Sequence, residues 1–146
     1  MIRIYLDNCC FNRPFDDMGN INIRLESIAK LHIQNLIRNE KLELAWSYLL
    51  ESENDQNPFL DKKISIAAWK DISTINIEES EELLLKSEEY SNLGIKPLDS
   101  IHIVCAYFMN CHYFLTTDKG ILNKSQYVRD IQILNPIEFL NQLEEQ

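Results

Sequence analysis

Apolar residues along this chain switch between two rhythms. Ile2-Arg3-Ile4-Tyr5-Leu6 is a short, nearly continuous apolar run, the pattern of a strand covered on both faces. Ile21, Leu25, Ile28, Ala29, Ile33, Leu36 and Ile37 then recur at steps of three and four, predicting a helix over 21–38. Arg24, Glu26, Lys30, Gln34 and Arg38 mark its wet face. A second strand is predicted over 42–46, and Ser47 can cap a short helix running through Glu53 to about Asp55. Asn57-Pro58 predicts a helix over about 58–70, with 72–77 as a weak third strand. The next helix, 78–93, carries Glu78, Glu79, Glu81 and Glu82 in its first turn and Gly94 after its end, as the helix dipole and a left-handed C-cap favour. A helix over 99–109 follows, with Ile101, Val104, Cys105 and Phe108 on one face. Strands over 113–117 and 131–134 and a helix from Pro136 through Leu143 complete the chain.

Strands alternating with helices, with no linker between halves, predict an α/β domain over 1–146. The sheet should be parallel, with four to five strands, in a three-layer α/β/α arrangement. At 146 residues, 45% hydrophobic and 25% charged, the chain has the make-up of one soluble globular domain. No apolar run nears the roughly 20 residues of a membrane span, and residues 1–6 show no signal-peptide pattern, so a cytoplasmic location is expected. Cys9, Cys10, Cys105 and Cys111 form no C-x-x-C pattern and are expected to be free thiols. A zinc site would recruit His102 or His112, but the spacing matches no standard set.

The chemistry lies in four acids at element ends. Asp7 follows the first strand, Glu53 the second, Asp99 opens a helix and Asp118 closes Tyr113-Phe114-Leu115-Thr116-Thr117-Asp118. Each has an ordinary reading as well. Asp99 can be an N-cap, although His102 stands where a capping box wants Glu or Gln, and Asp118 can be a turn residue. Asp7 is harder to explain away, because a buried carboxylate without a partner is costly and no lysine is near in sequence. Carboxylates at the ends of parallel strands converge on one crevice and repel unless a hard cation joins them. That combination points to a Mg2+- or Mn2+-dependent phosphodiesterase. The net charge of −9 argues against a broad basic groove, but bound cations reverse the local sign. A haloacid-type phosphatase would need Asp two residues after Asp7, where Cys9 stands, and three glycines in total leave no dinucleotide loop.

Three stretches together resemble the PIN-domain family, which includes VapC-type toxins and other small ribonucleases. They are Tyr5-Leu6-Asp7-Asn8, the segment from Leu98 to Ala106, and the segment from Tyr113 to Asp118. Asn8-Cys9-Cys10-Phe11-Asn12-Arg13-Pro14 departs from the usual toxin opening and looks like a subgroup of small standalone PIN proteins. The resemblance implies hydrolysis of RNA phosphodiester bonds, with Asp7, Asp99 and Asp118 holding Mg2+ or Mn2+. The family's second acid follows a serine by six residues, which selects Glu53 over Glu51 after Ser47 as the group that binds metal through water or places the nucleophile. Two positions on a helix differ by roughly 200°, so Glu51 should face away. Arg13 is the candidate phosphate clamp, with pairing to Asp16 or Asp17 as the competing role. Asn8 is a further candidate substrate contact, and Thr116 either orients an acid, touches a phosphate or simply packs in its strand. His102 can reach the site or serve as a packing residue, and Trp46 and Trp69 read as core. The implied partners are an RNA substrate, a cognate antitoxin bearing arginine and a second copy in a homodimer. The alternative is a catalytically inactive PIN-like binding or scaffold protein.

Overall fold

The structure is a computed structural model, and it describes residues 1–11 and 19–145. Five strands form one sheet in the order β3-β2-β1-β4-β5, every neighbouring pair parallel. They are β1 (Arg3–Leu6), β2 (Glu43–Ser47), β3 (Ile75–Ile77), β4 (Tyr113–Leu115) and β5 (Gln132–Leu134). In β1 Ile4, Tyr5 and Leu6 are all buried, and in β4 so are Tyr113, Phe114 and Leu115. Successive strand residues point to opposite faces, so continuous burial means that helices cover both. This is the expected three-layer α/β/α architecture, with five strands.

The helices are α1 (Ile21–Arg38), α2 (Tyr48–Asp55), α3 (Leu60–Ile72), α4 (Glu81–Ser91), α5 (Pro97–Phe108), α6 (Lys119–Leu122) and α7 (Pro136–Glu144). Helix α1 packs on α7, α4 packs along α5, and α5 lies against β2 and β4. Trp46 and Trp69 are core residues, both packed near Phe11. Among the described residues, no helix is long and apolar enough to cross a membrane.

Several boundaries and faces differ from the periodicity. Helix α3 starts at Leu60, because Asn57 accepts the Phe59 N–H at 3.0 Å and holds a turn there. Helix α4 starts after Ser80, whose hydroxyl accepts from Leu83 N, so Glu78 and Glu79 precede the helix. Strand β3 is only Ile75–Ile77, since Ile72 ends α3. On α1, Gln34 is buried because its amide donates to the Cys10 carbonyl, while Ile21, Leu25 and Ile28 are exposed. Helix α5 starts at Pro97, so Asp99 lies inside its first turn and caps nothing.

The strand order fixes where a site belongs. The chain leaves β1 for β2 and β3 on one side, then returns to β4 and β5 on the other. Ligands in such sheets bind outside the carboxyl ends of the strands, where the order reverses. That point lies between β1 and β4.

Candidate active site

Asp7 is the first residue past β1 and is 8% exposed. Its backbone N–H still donates to Leu115 O at 2.9 Å, which pins it beside β4 at the reversal point. Oδ1 accepts the Asn8 N–H at 2.8 Å and Oδ2 accepts the Thr116 hydroxyl at 2.7 Å. Thr116, fully buried after β4, accepts the Asp118 N–H at 3.0 Å through the same hydroxyl. One side chain thus links the two strand-end acids. Asp118 is exposed and caps α6, its Oδ1 taking the Gly120 N–H at 2.7 Å.

Asp99 arrives from a third direction. Met109 and His112, just beyond the carboxyl end of α5, bond to Arg3 at the amino end of β1. Helix α5 therefore runs antiparallel to the strands. Its 12 residues, about 18 Å at 1.5 Å per residue, bring its first turn back to the carboxyl ends. The half-buried Asp99 carboxyl is raised above the usual carboxylate range, first by desolvation, then by the charges of Asp7 and Asp118. His102 and Lys96 oppose that rise. The charges of Asp7 and Asp118 thus reach Asp99 at one end of the sheet.

Glu53 and Glu51 separate as two positions on a helix must. Glu51 forms a surface ion pair with Lys70 at 2.6 Å, whereas Glu53 Oε1 meets His102 Nε2 at 2.6 Å. His102 is one turn past Asp99, and its other nitrogen lies 2.6 Å from the Tyr5 hydroxyl. Tyr5 in turn bonds to Ser47 at 2.7 Å.

No known family profile matches the sequence, and no curated protein does. Solved structures do match along nearly the whole chain. A chain of VapBC2 from Rickettsia felis, solved bound to a DNA fragment from its promoter, superposes with TM-score 0.56 at 12% identity, covering 92% of this chain and 98% of that one. FitAcB from Neisseria gonorrhoeae gives 0.55 at 16% identity, covering 92% and 98%. VapBC-1 from nontypeable Haemophilus influenzae gives 0.54 at 17% identity, covering 94% and 99%. These are toxin–antitoxin complexes, and at such identities the likeness speaks for the fold.

The chain has a PIN-domain fold.

Within that fold, Asp7, Asp99 and Asp118 come to the carboxyl end of the sheet, and Glu53 joins α5 through His102. Thr116 orients Asp7, one of the roles the sequence left open. Asn8 contributes its backbone N–H, and its side-chain Oδ1 is buried without a hydrogen-bond partner. Arg13, with Asp16 and Asp17, lies outside the described residues. The four cysteines are free thiols. His112 accepts the Arg3 N–H through Nδ1, and His102 bonds to Tyr5 and Glu53.

Among the described residues, no three acidic, histidine or cysteine side chains stand as a ready-made metal cage. The donor set is nonetheless all hard oxygen, and burial, together with the charges of Asp7 and Asp118, raises Asp99. Mg2+ uses few protein carboxylates and retains several waters, so these residues fit it without a closed cage. A cleft of about 510 Å³ at the opposite end, between Met1, Leu42, Glu43 and Thr74, brings together none of the four acids.

The polar chain behind the acids was missed as a unit. Its signal was present in residue types: Tyr5 two before Asp7, and His102 three after Asp99. Their partnership crosses 97 positions, which local pattern cannot reveal.

Proposed function

We propose that this PIN-fold chain is a divalent-metal-dependent endoribonuclease that hydrolyses RNA phosphodiester bonds, and the toxin of a type II toxin–antitoxin pair. The observation that carries the reading is the gathering of acids at the reversal point of the sheet: Asp7 and Asp118 are tied through the Thr116 hydroxyl, and Asp99 feels the charges of both. The VapBC and FitAcB structures, which share the fold along nearly their whole matched chains, support the toxin–antitoxin part.

Asp7, Asp99 and Asp118 would hold Mg2+ or Mn2+. Bound there, the ion would acidify a water, polarise the phosphoryl oxygen and offset developing charge. Thr116 and the Asn8 N–H fix the Asp7 carboxylate, so that its two oxygens keep set directions. Glu53 Oε1 is held by His102, leaving Oε2 to place a water or accept its proton. Arg13 would clamp a substrate phosphate and Asn8 would contact the substrate, while Thr116 acts behind them by holding Asp7.

The reading takes an arginine-bearing antitoxin as partner, which the net charge of −9 favours, and a cytoplasmic setting. A homodimer belongs to the same proposal, and exposed Ile21, Leu25 and Ile28 on α1 are apolar surface for such contacts. Light scattering at micromolar concentration tests it, a monomer counting against it. The scaffold alternative draws on the lack of a ready-made cage among the described residues. RNA cleavage assays with Mn2+ or Mg2+ separate the two. Wild type should cleave and Asp7→Asn should not, whereas a scaffold shows no metal-dependent cleavage in either.

A further inference from the structure

The described interior of the domain contains one continuous polar chain that the acids themselves do not explain. It joins Ser47 at the end of β2, Tyr5 in β1, His102 in α5 and Glu53 in α2. Ser47, Tyr5 and His102 are almost completely buried, at 0%, 0% and 1% exposure. Glu53, at the end of the chain, is half-buried.

The direction of each bond follows from what each group can donate. A carboxylate only accepts, so His102 Nε2–H donates to Glu53. With the ring in that tautomer Nδ1 accepts, and the Tyr5 hydroxyl donates to it. The Tyr5 oxygen then accepts from Ser47, whose own oxygen accepts the Leu50 N–H at 3.2 Å while capping α2. The Tyr5 and His102 rings also meet edge to face, with centroids 5.7 Å apart, so neither can rotate freely.

Resting on the nuclease reading above, we propose that His102, backed by Tyr5 and Ser47, is a positioning residue that aims Glu53 at the acid cluster. Glutamate has three side-chain torsions and loses much entropy when held still. The imidazole holds Oε1 and so sets where Oε2 points. Two of the four elements that supply the chain also lead into or carry two of the acids: Tyr5 lies two residues before Asp7, and His102 one helical turn after Asp99. Any shift of β1 or α5 therefore moves Glu53 together with Asp7 and Asp99. Stability alone gives little reason for the arrangement, because well-packed apolar side chains in place of a buried polar chain are often no less stable.

The test is a double-mutant cycle on Mn2+-dependent RNA cleavage by the full chain. His102→Leu should lower kcat about 10–100-fold, as loss of a supporting partner typically does, with little change in KM. The same loss should vanish in the Glu53→Gln background, since His102 acts through Glu53. His102→Gln, which keeps a donor for Glu53, should recover part of kcat. Circular dichroism and thermal melts check folding. Should His102→Leu not fold, Tyr5→Phe in the same cycle replaces it and should give a smaller loss of the same kind. Independent, additive losses from His102 and Glu53, or an unchanged kcat in folded His102→Leu, would overturn the inference and leave the nuclease reading standing. A wild type that cleaves no RNA with Mn2+ would overturn the nuclease reading, and the inference with it.

Discussion

Thr116 and Asp7 show how much a single hydroxyl can organise. The hydroxyl donates to Asp7 and accepts from the Asp118 backbone, so Thr116→Val removes two bonds at once. The isosteric change should cost about 1–3 kcal/mol, the usual penalty for leaving a buried acceptor unpaired, read as a lower midpoint in urea. It should also weaken stabilisation by Mn2+ in thermal melts. Glu53 and Glu51 make a second test: Glu53→Gln should lower metal-dependent cleavage about 100–10,000-fold to a small residual rate, while Glu51→Gln, which breaks only the surface pair with Lys70, should leave it largely intact. Cys9 makes a third. Its thiol is lowered to about 7, chiefly by a hydrogen bond from Cys10 and against its own burial, and the Thr117 hydroxyl also donates to it. Burial raises Cys105 and Cys111 to about 12, and Cys10 is raised by its bond to Cys9 and by burial. Iodoacetamide should therefore label Cys9 first, with a rate rising as pH passes through about 7. Equal labelling of all four, followed by mass spectrometry, would contradict this.

At the level of elements, the alternation of strands and helices was legible because each rhythm runs unbroken for several residues. The starts of α3, α4 and α5 were not, because a turn held by Asn57, the Ser80 cap and Pro97 at the first helical position decide them. Asn57, Ser80 and Pro97 each displaced the predicted first residue by two or three positions. The shift at α5 matters most, since an Asp99 spent on capping would be turned toward backbone N–H groups. Ser80→Ala should cost about 0.5–2 kcal/mol through loss of the α4 cap, without affecting RNA cleavage, a combination that stability and activity assays can read together. The strand-end acids were legible for the same reason as the strands: polar residues that close apolar runs stand out. The apolar face of α1 misled, because a stripe at helical spacing does not say which of its members meet the core. Ala29, Ile33 and Ile37 do, and Ile21, Leu25 and Ile28 do not.

For the molecule as a whole, the half-buried Asp99 beside Asp7 and Asp118 works against stability when ionised. Asp99 holds its proton more tightly in the folded state than in the unfolded chain. Between the ordinary carboxylate range and that raised value, the folded state binds more protons, so the contribution of this group to stability falls as pH rises. Below the ordinary range the penalty is absent. Metal-free protein should thus lose stability as pH rises through this window, and Asp99→Asn should flatten the trend in thermal melts. A divalent ion binding only the folded state should restore stability at neutral pH. The direct measurement is a calorimetric titration of Mn2+ into wild type and Asp99→Asn at neutral pH. The account predicts saturable binding to wild type that is lost or strongly weakened in the variant. No binding at millimolar Mn2+, or equal binding by both proteins, would contradict it.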